Sequence, residues 1–189
     1  MFALLLAVGV AHAGWVATGT EQGCTFFKGN PEPSGALPVR VECDWDIDPA
    51  ALTRVLGAPG THHHVFASLH SAEILSSADG IERVCQVHRA VGASDREVVV
   101  EVRTASVPGG QRFSWNKATD QRGCKTDGVE PALSDGYWEV TARDGRTRLV
   151  YEVRYLAGGH VPAFLVRWFQ GVGIRGVIDD LRVFMETAR

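Results

Sequence analysis

Residues 69–156 read as six consecutive strand segments, joined by spacers of a few residues except for the longer stretch 119–135, after which the hydrophobic period changes from 2 to 3.6 for the rest of the chain. The segments Leu69–Leu75, Ile81–Val91, Arg96–Ser106, Arg112–Ala118, Gly136–Ala142 and Thr147–Leu156 are rich in Val, Thr, Tyr, Phe and Trp. Ala78-Asp79-Gly80, Gly92-Ala93-Ser94-Asp95, Pro108-Gly109-Gly110 and Asp144-Gly145-Arg146 separate them. Such spacers cannot hold the crossover that a parallel pair needs, so consecutive strands are expected to be antiparallel neighbours. In the last segment Leu149, Tyr151, Val153 and Tyr155 share one face, and Arg148, Glu152 and Arg154 occupy the other. One face is built to be buried.

Past Gly158-Gly159, Pro162 suits a first helical turn. Phe164, Leu165, Trp168, Phe169, Val172, Ile178, Leu181 and Met185 then recur at three- and four-residue steps to the C-terminus. The spacing predicts one long amphipathic helix. Gly171, Gly173 and Gly176 within it each cost about 1 kcal/mol relative to Ala, which implies a bend or a close approach to the sheet near its middle. The expected class is therefore α+β, a curved antiparallel sheet wrapped around a long C-terminal helix. A strongly twisted sheet cannot lie flat on a straight rod, so the two enclose space. Candidates for lining that space are Val98, Val100, Val102, Phe113, Trp115, Tyr151, Val153, Phe164, Trp168 and Val172; for each, the alternative is ordinary core.

Upstream, Trp15–Phe27 and Val39–Trp45 read as a hairpin with a long loop over the turn residues 29–35. Asp48-Pro49 then offers an N-cap followed by Pro at the first helical position, and helical spacing runs on until Gly57. Thr61–Ala67 gives a weaker second helix. Two short helices are thus expected after the second strand.

Phe2–Ala13 is an apolar run ending in the cleavable pattern Ala11-His12-Ala13, and twelve residues are too few to span a bilayer. Residues 1–13 are read as a signal peptide and 14–189 as the mature domain, which places the protein in the periplasm or outside the cell. The stretch before the run lacks Lys and Arg, and the alternative is a first buried helix or strand. Cys24 lies outside the run, which argues against a lipid-modified cysteine. Cys24, Cys43, Cys85 and Cys124 agree with export, because an oxidising compartment favours disulfides. Four thiols permit three pairings. Cys24 and Cys43 fall in neighbouring extended segments, Cys85 in a strand and Cys124 in a polar loop, which favours Cys24–Cys43 with Cys85–Cys124.

Composition narrows the partners. The chain has 189 residues, 45% of them hydrophobic, with 19 Lys and Arg against 22 Asp and Glu and a net charge of −3. A single domain of this size buries roughly 70% of its unfolded surface. No basic stripe meets the electrostatic requirement of a nucleic-acid binder. Removing residues 1–13 removes no charge, and a nearly neutral surface suits a freely soluble monomer whose membrane contacts are transient.

No Gly-x-Ser-x-Gly elbow, phosphate loop, dinucleotide fingerprint or His-Glu-x-x-His occurs, and no cofactor is expected. Successive residues in His62-His63-His64 point in different directions, so the run, with His70 and His88, is not expected to hold a metal. No two cysteines have zinc-knuckle spacing. Glu101, Arg103, Arg143, Glu152 and His160 could act on a substrate if they faced inward, but the alternation turns Glu101, Arg103 and Glu152 outward.

Three stretches resemble the START family, the steroidogenic-acute-regulatory-protein-related lipid-transfer domains with the helix-grip fold. They are Gln86–Val100 with Ser94-Asp95-Arg96-Glu97-Val98-Val99-Val100; Gly136-Tyr137-Trp138 with Thr147–Tyr155; and Gly158 to Val166 followed by Leu181-Arg182. The resemblance implies that one lipid or other large apolar molecule binds in the tunnel, with the terminal helix and adjoining loops as a lid. In the wider superfamily it also implies an alternative, a cyclase- or hydratase-like enzyme on a hydrophobic substrate. A third reading is an interaction module whose cavity is packed solid.

Overall fold

The computed structural model of the chain describes residues 14–89, 94–124, 128–159 and 173–188. Among them, nine strands form one antiparallel sheet: β1 (Trp15–Glu21), β2 (Cys24–Gly29), β3 (Val39–Trp45), β4 (Leu69–Ala78), β5 (Ile81–His88), β6 (Arg96–Val107), β7 (Gly110–Lys117), β8 (Leu133–Arg143) and β9 (Arg146–Leu156). Their spatial order is β1-β2-β3-β9-β8-β7-β6-β5-β4. From β4 to β9 each strand lies beside its neighbours in sequence, as the short spacers require everywhere except between β7 and β8, where the longer connection 118–132 leaves the pairing open. The first hairpin then joins the last strand, with Val41 opposite Tyr151 and Cys43 opposite Leu149.

Three strands, not two, precede the helices. The segment expected over Trp15–Phe27 breaks at Gln22-Gly23, where φ of 50° and 77° makes a tight hairpin turn with Glu21 opposite Cys24. Helix α1 (Pro49–Leu56) begins as its sequence dictates: the Asp48 carboxylate accepts from the Ala50 and Ala51 N–H groups, each at 3.1 Å. Gly57 ends it at φ −79°, outside the left-handed region. Its small size serves packing, since a Cβ there would lie 3.1 Å from the Phe113 ring. The second short element is a 3₁₀ turn at Pro59–His64, earlier and tighter than the helix expected over Thr61–Ala67. A proline at its start fixes φ for the turn. Helix α2 (Ile174–Thr187) closes the described chain, burying Ile178, Leu181 and Met185 at helical spacing. The N-terminal part of the expected terminal helix, including Pro162 and Gly171, lies outside the described residues, as do residues 1–13. No described helix is long and apolar enough to cross a membrane.

The core sits between the concave face of the sheet, α1 and α2, around Val41, Leu52, Leu56, Leu149 and Leu181. The opposite face carries charges in cross-strand register. Arg40 lies 2.7 Å from Glu42 and 3.2 Å from Glu152, Arg148 lies 2.7 Å from Glu42, and the Tyr137 hydroxyl donates to Glu152 at 3.0 Å. Glu152 is therefore a network member on the outer face, as the alternation required. Glu101 and Arg103 pair at 3.4 Å and Arg143 reaches Asp144 at 3.6 Å, all near solvent. His160 lies outside the described residues. The disulfides Cys24–Cys43 and Cys85–Cys124 join β2 to β3 and β5 to the loop after β7.

Candidate functional site

Between the concave face, the 3₁₀ turn and α2 lies a cavity of about 600 Å³, within the range of small-molecule sites. Of the residues expected to line it, Val102 (β6), Phe113 and Trp115 (β7), and Tyr151 and Val153 (β9) do stand on its wall. Val98 and Val100 share the face of Val102 and pack with it and Val84 in a satellite cluster, but they are fully buried and do not reach the wall. Phe164, Trp168 and Val172 lie outside the described residues.

The wall is built around stacked rings. Trp138 on β8 lies against Tyr151 at 4.0 Å between centroids, and Phe66, from the segment after the 3₁₀ turn, stacks on it at 5.9 Å and 8° between planes. Trp115 continues the row to Tyr151 at 6.0 Å. Trp115 lies flat because β8 has Gly136 beneath it, where a Cβ would come within 2.4 Å of the indole. Burial alone holds the Tyr151 hydroxyl protonated, well above its ordinary value.

Polar groups interrupt this wall at one end. Gln86 and His88 lie two residues apart on one face of β5, with His88 Nε2 3.3 Å from Gln86 Oε1. Ser134 and Tyr155 are directly opposed on β8 and β9. Between the two pairs lies Arg96, the ladder partner of His88, whose guanidinium donates to the backbone carbonyls of Ser94, Ala157 at 2.8 Å and Gly158 at 3.5 Å. Burial raises the Tyr155 phenol to about 12 although the Arg96 charge opposes the rise. These polar residues were not expected on the wall; the period-2 pattern of Ile81–Val91, which puts Gln86 and His88 on the face of Val84, was the available signal.

Burial pushes the His88 imidazole down to about 4 from its usual value near 6.5, so it is neutral at pH 7. The unfolded chain therefore binds the proton first, and folding stability falls as pH drops from 6.5 towards 4. This contribution levels off at a loss of about 3 kcal/mol. Thermal midpoints measured across this window should fall less steeply in His88→Gln than in the wild type; parallel profiles would contradict the assignment.

At the rim, Asp180 on α2 accepts the Ala67 N–H at 2.8 Å, tying the helix to the segment that carries Phe66. Asp180→Ala should cost about 1 kcal/mol and speed hydrogen exchange at Ala67; unchanged exchange would show that the tie does not restrain the rim. Arg175, five residues earlier, reaches Glu21 and stacks 4.6 Å over Phe26, fixing the same helix to the first hairpin.

The histidine run is divided by its neighbours. His62 is buried, with Nε2 3.2 Å from the Leu56 carbonyl and its ring edge-on to Phe66, while the His63 and His64 rings meet at 3.9 Å, tilted by 45°. Among the described residues, metal-type donors converge only at Cys85, Glu97 and Cys124, and those two sulfurs are bonded to each other. A second hollow of about 440 Å³ opens between α1 and the end of α2, away from the stacked wall.

A curved antiparallel sheet gripping a C-terminal helix around an apolar hollow is a START-like fold. The chain is similar to the STAR-related lipid transfer protein (fragment 25–204) of Xanthomonas axonopodis, at 16% identity and a TM-score of 0.80 over 92% of this chain and 99% of that one. It is also similar to human StAR-related lipid transfer protein 5, at 15% identity and 0.83 over 94% and 89%. A more distant likeness is the Zhui aromatase/cyclase of Streptomyces sp. R1128, at 17% identity and 0.57 over 80% and 92%. At these identities the likeness is one of fold. No family model matches the chain, and no curated protein matches it in sequence.

Proposed function

We propose that the protein binds one lipid or other large apolar molecule in this cavity and carries it, as an exported monomer, outside the cytoplasm. The observation that carries the reading is the 600 Å³ hollow walled by Trp115, Trp138, Tyr151 and Phe66. Apolar burial at roughly 25 cal/mol per Å² drives binding there without any bond-making step. The lipid-transfer function named for similar folds supports the reading. Export is supported by the two disulfides and by the apolar leader 1–13, and fusing residues 1–20 to a reporter active only after export tests it. Loading would take a transient membrane contact at the rim formed by Phe66–Ser68 and α2.

Native mass spectrometry of protein purified from its own host is the decisive experiment: a co-purified apolar ligand is the expected result. Indole fluorescence should also shift when lipid is added, because Trp115 and Trp138 face the cavity. Silence across fatty acids, phospholipids and sterols would overturn the reading. A second reading is a cyclase- or hydratase-like enzyme, favoured by His88 on the wall and by the aromatase/cyclase of similar fold. Conversion of a bound substrate, abolished in His88→Gln, would establish it.

A further inference from the structure

The polar end of the cavity holds hydrogen-bonding capacity that the protein does not use. The hydroxyls of Ser134 and Tyr155 and the carboxamide nitrogen of Gln86 stand on the wall without a hydrogen-bond partner among the described residues. Ser134 is 6% exposed, and Gln86 and Tyr155 are half-buried beside it on the cavity wall. Behind the group sits Arg96, 5% exposed, held by three carbonyls and, among the described residues, by no carboxylate. A buried cation without an anion is costly, and the donors beside it remain open to a ligand in the cavity. The patch is thus rich in donors and positive in potential. A carboxylate, which only accepts hydrogen bonds and carries the opposite charge, is the group that matches it. Asp180, the carboxylate on the wall, is across the rim and committed to the Ala67 N–H, and Arg89 lies at the exposed edge.

We infer that the cavity selects an apolar molecule ending in a single carboxylate, with Gln86, Ser134 and Tyr155 donating to that head group in the field of Arg96. This rests on the proposed binding of an apolar molecule in the same cavity and adds the chemistry of its polar end. A neutral ester offers acceptors without the charge, and an alcohol must spend its own donor, so both fit the patch less well.

The test is displacement of a fluorescent apolar probe from the wild-type full chain at neutral pH by palmitate, methyl palmitate and hexadecanol, which share one chain and differ at the head. Palmitate should bind at least about tenfold tighter than the other two. In Gln86→Leu with Tyr155→Phe, affinity for palmitate should fall by about tenfold while that for the ester stays within about twofold. Equal binding of the three, or tighter binding of the ester or alcohol, overturns the carboxylate inference and leaves the apolar cavity standing. Failure of all three and of the probe overturns the cavity reading itself. The wild-type ranking decides the inference whether or not the variants fold, and equal losses for all three ligands in the variants would remove these residues from the head-group site.

Discussion

Reduction of both disulfides is expected to remove about 7 kcal/mol of stability, enough to unfold the protein or leave it marginal at neutral pH. Cys24–Cys43 closes a separation of 19 residues and Cys85–Cys124 one of 39, and in the chain-entropy model such loops contribute about 3 and about 4 kcal/mol. A domain of this kind has only about 5–15 kcal/mol in hand. The two bonds are not equivalent in position. Cys24–Cys43 joins directly opposed residues of β2 and β3, already held by their ladder. Cys85–Cys124 fixes a segment that otherwise meets the sheet through the Gln121 side chain, whose carbonyl accepts the Val99 N–H at 2.7 Å, and through Arg83, which donates to the Asp120 carbonyl at 2.6 Å. Denaturant midpoints with and without reductant measure the sum. Cys85→Ser with Cys124→Ser should account for the larger share, and a reduced protein within about 2 kcal/mol of the oxidised one would contradict the estimate.

The strands from β4 to β9 were legible because their two faces have different fates: Leu149, Tyr151 and Val153 turn to the core while Arg148 and Glu152 join the outer ion pairs, which is what a period of 2 records. The break between β1 and β2 was not legible. Gln22 adopts a positive φ that sequence associates with Asn, Asp or Gly, and one glycine inside a strand-like run is ambiguous between a bulge and a turn. The joining of β3 to β9 is a contact between residues about a hundred positions apart, and no local pattern encodes it. The site was half legible for a related reason. Alternation tells which face a valine occupies, so Val98, Val100 and Val102 were placed together. Whether that face meets a neighbour or an empty space depends on curvature, and of the three valines clustered with Val84 only Val102 also reaches the cavity. Gln86, His88 and Ser134 escaped notice because a polar residue on an inward face reads as an irregularity until the cavity it serves is seen.

Trp138→Ala should be the most damaging single substitution in the wall, costing about 3–5 kcal/mol. The indole is 5% exposed and stands in the interior of the sheet, directly opposite Phe113 on β7 and Tyr151 on β9. Both neighbours are fixed by backbone ladders, and Phe66 is held in place by the segment that Asp180 ties to α2, so none can move far enough to fill the space left behind. The hole would merge with the existing cavity, and the variant should accept bulkier ligands than the wild type. A saturating bulky ligand should therefore restore part of the lost stability, because binding to the folded state alone raises its apparent stability. Denaturant midpoints of the variant, with and without such a ligand, test both parts. A loss under about 1.5 kcal/mol would mean that the wall relaxes around the missing ring, and a loss that no ligand relieves would mean that the ring belongs to the core and not to the site.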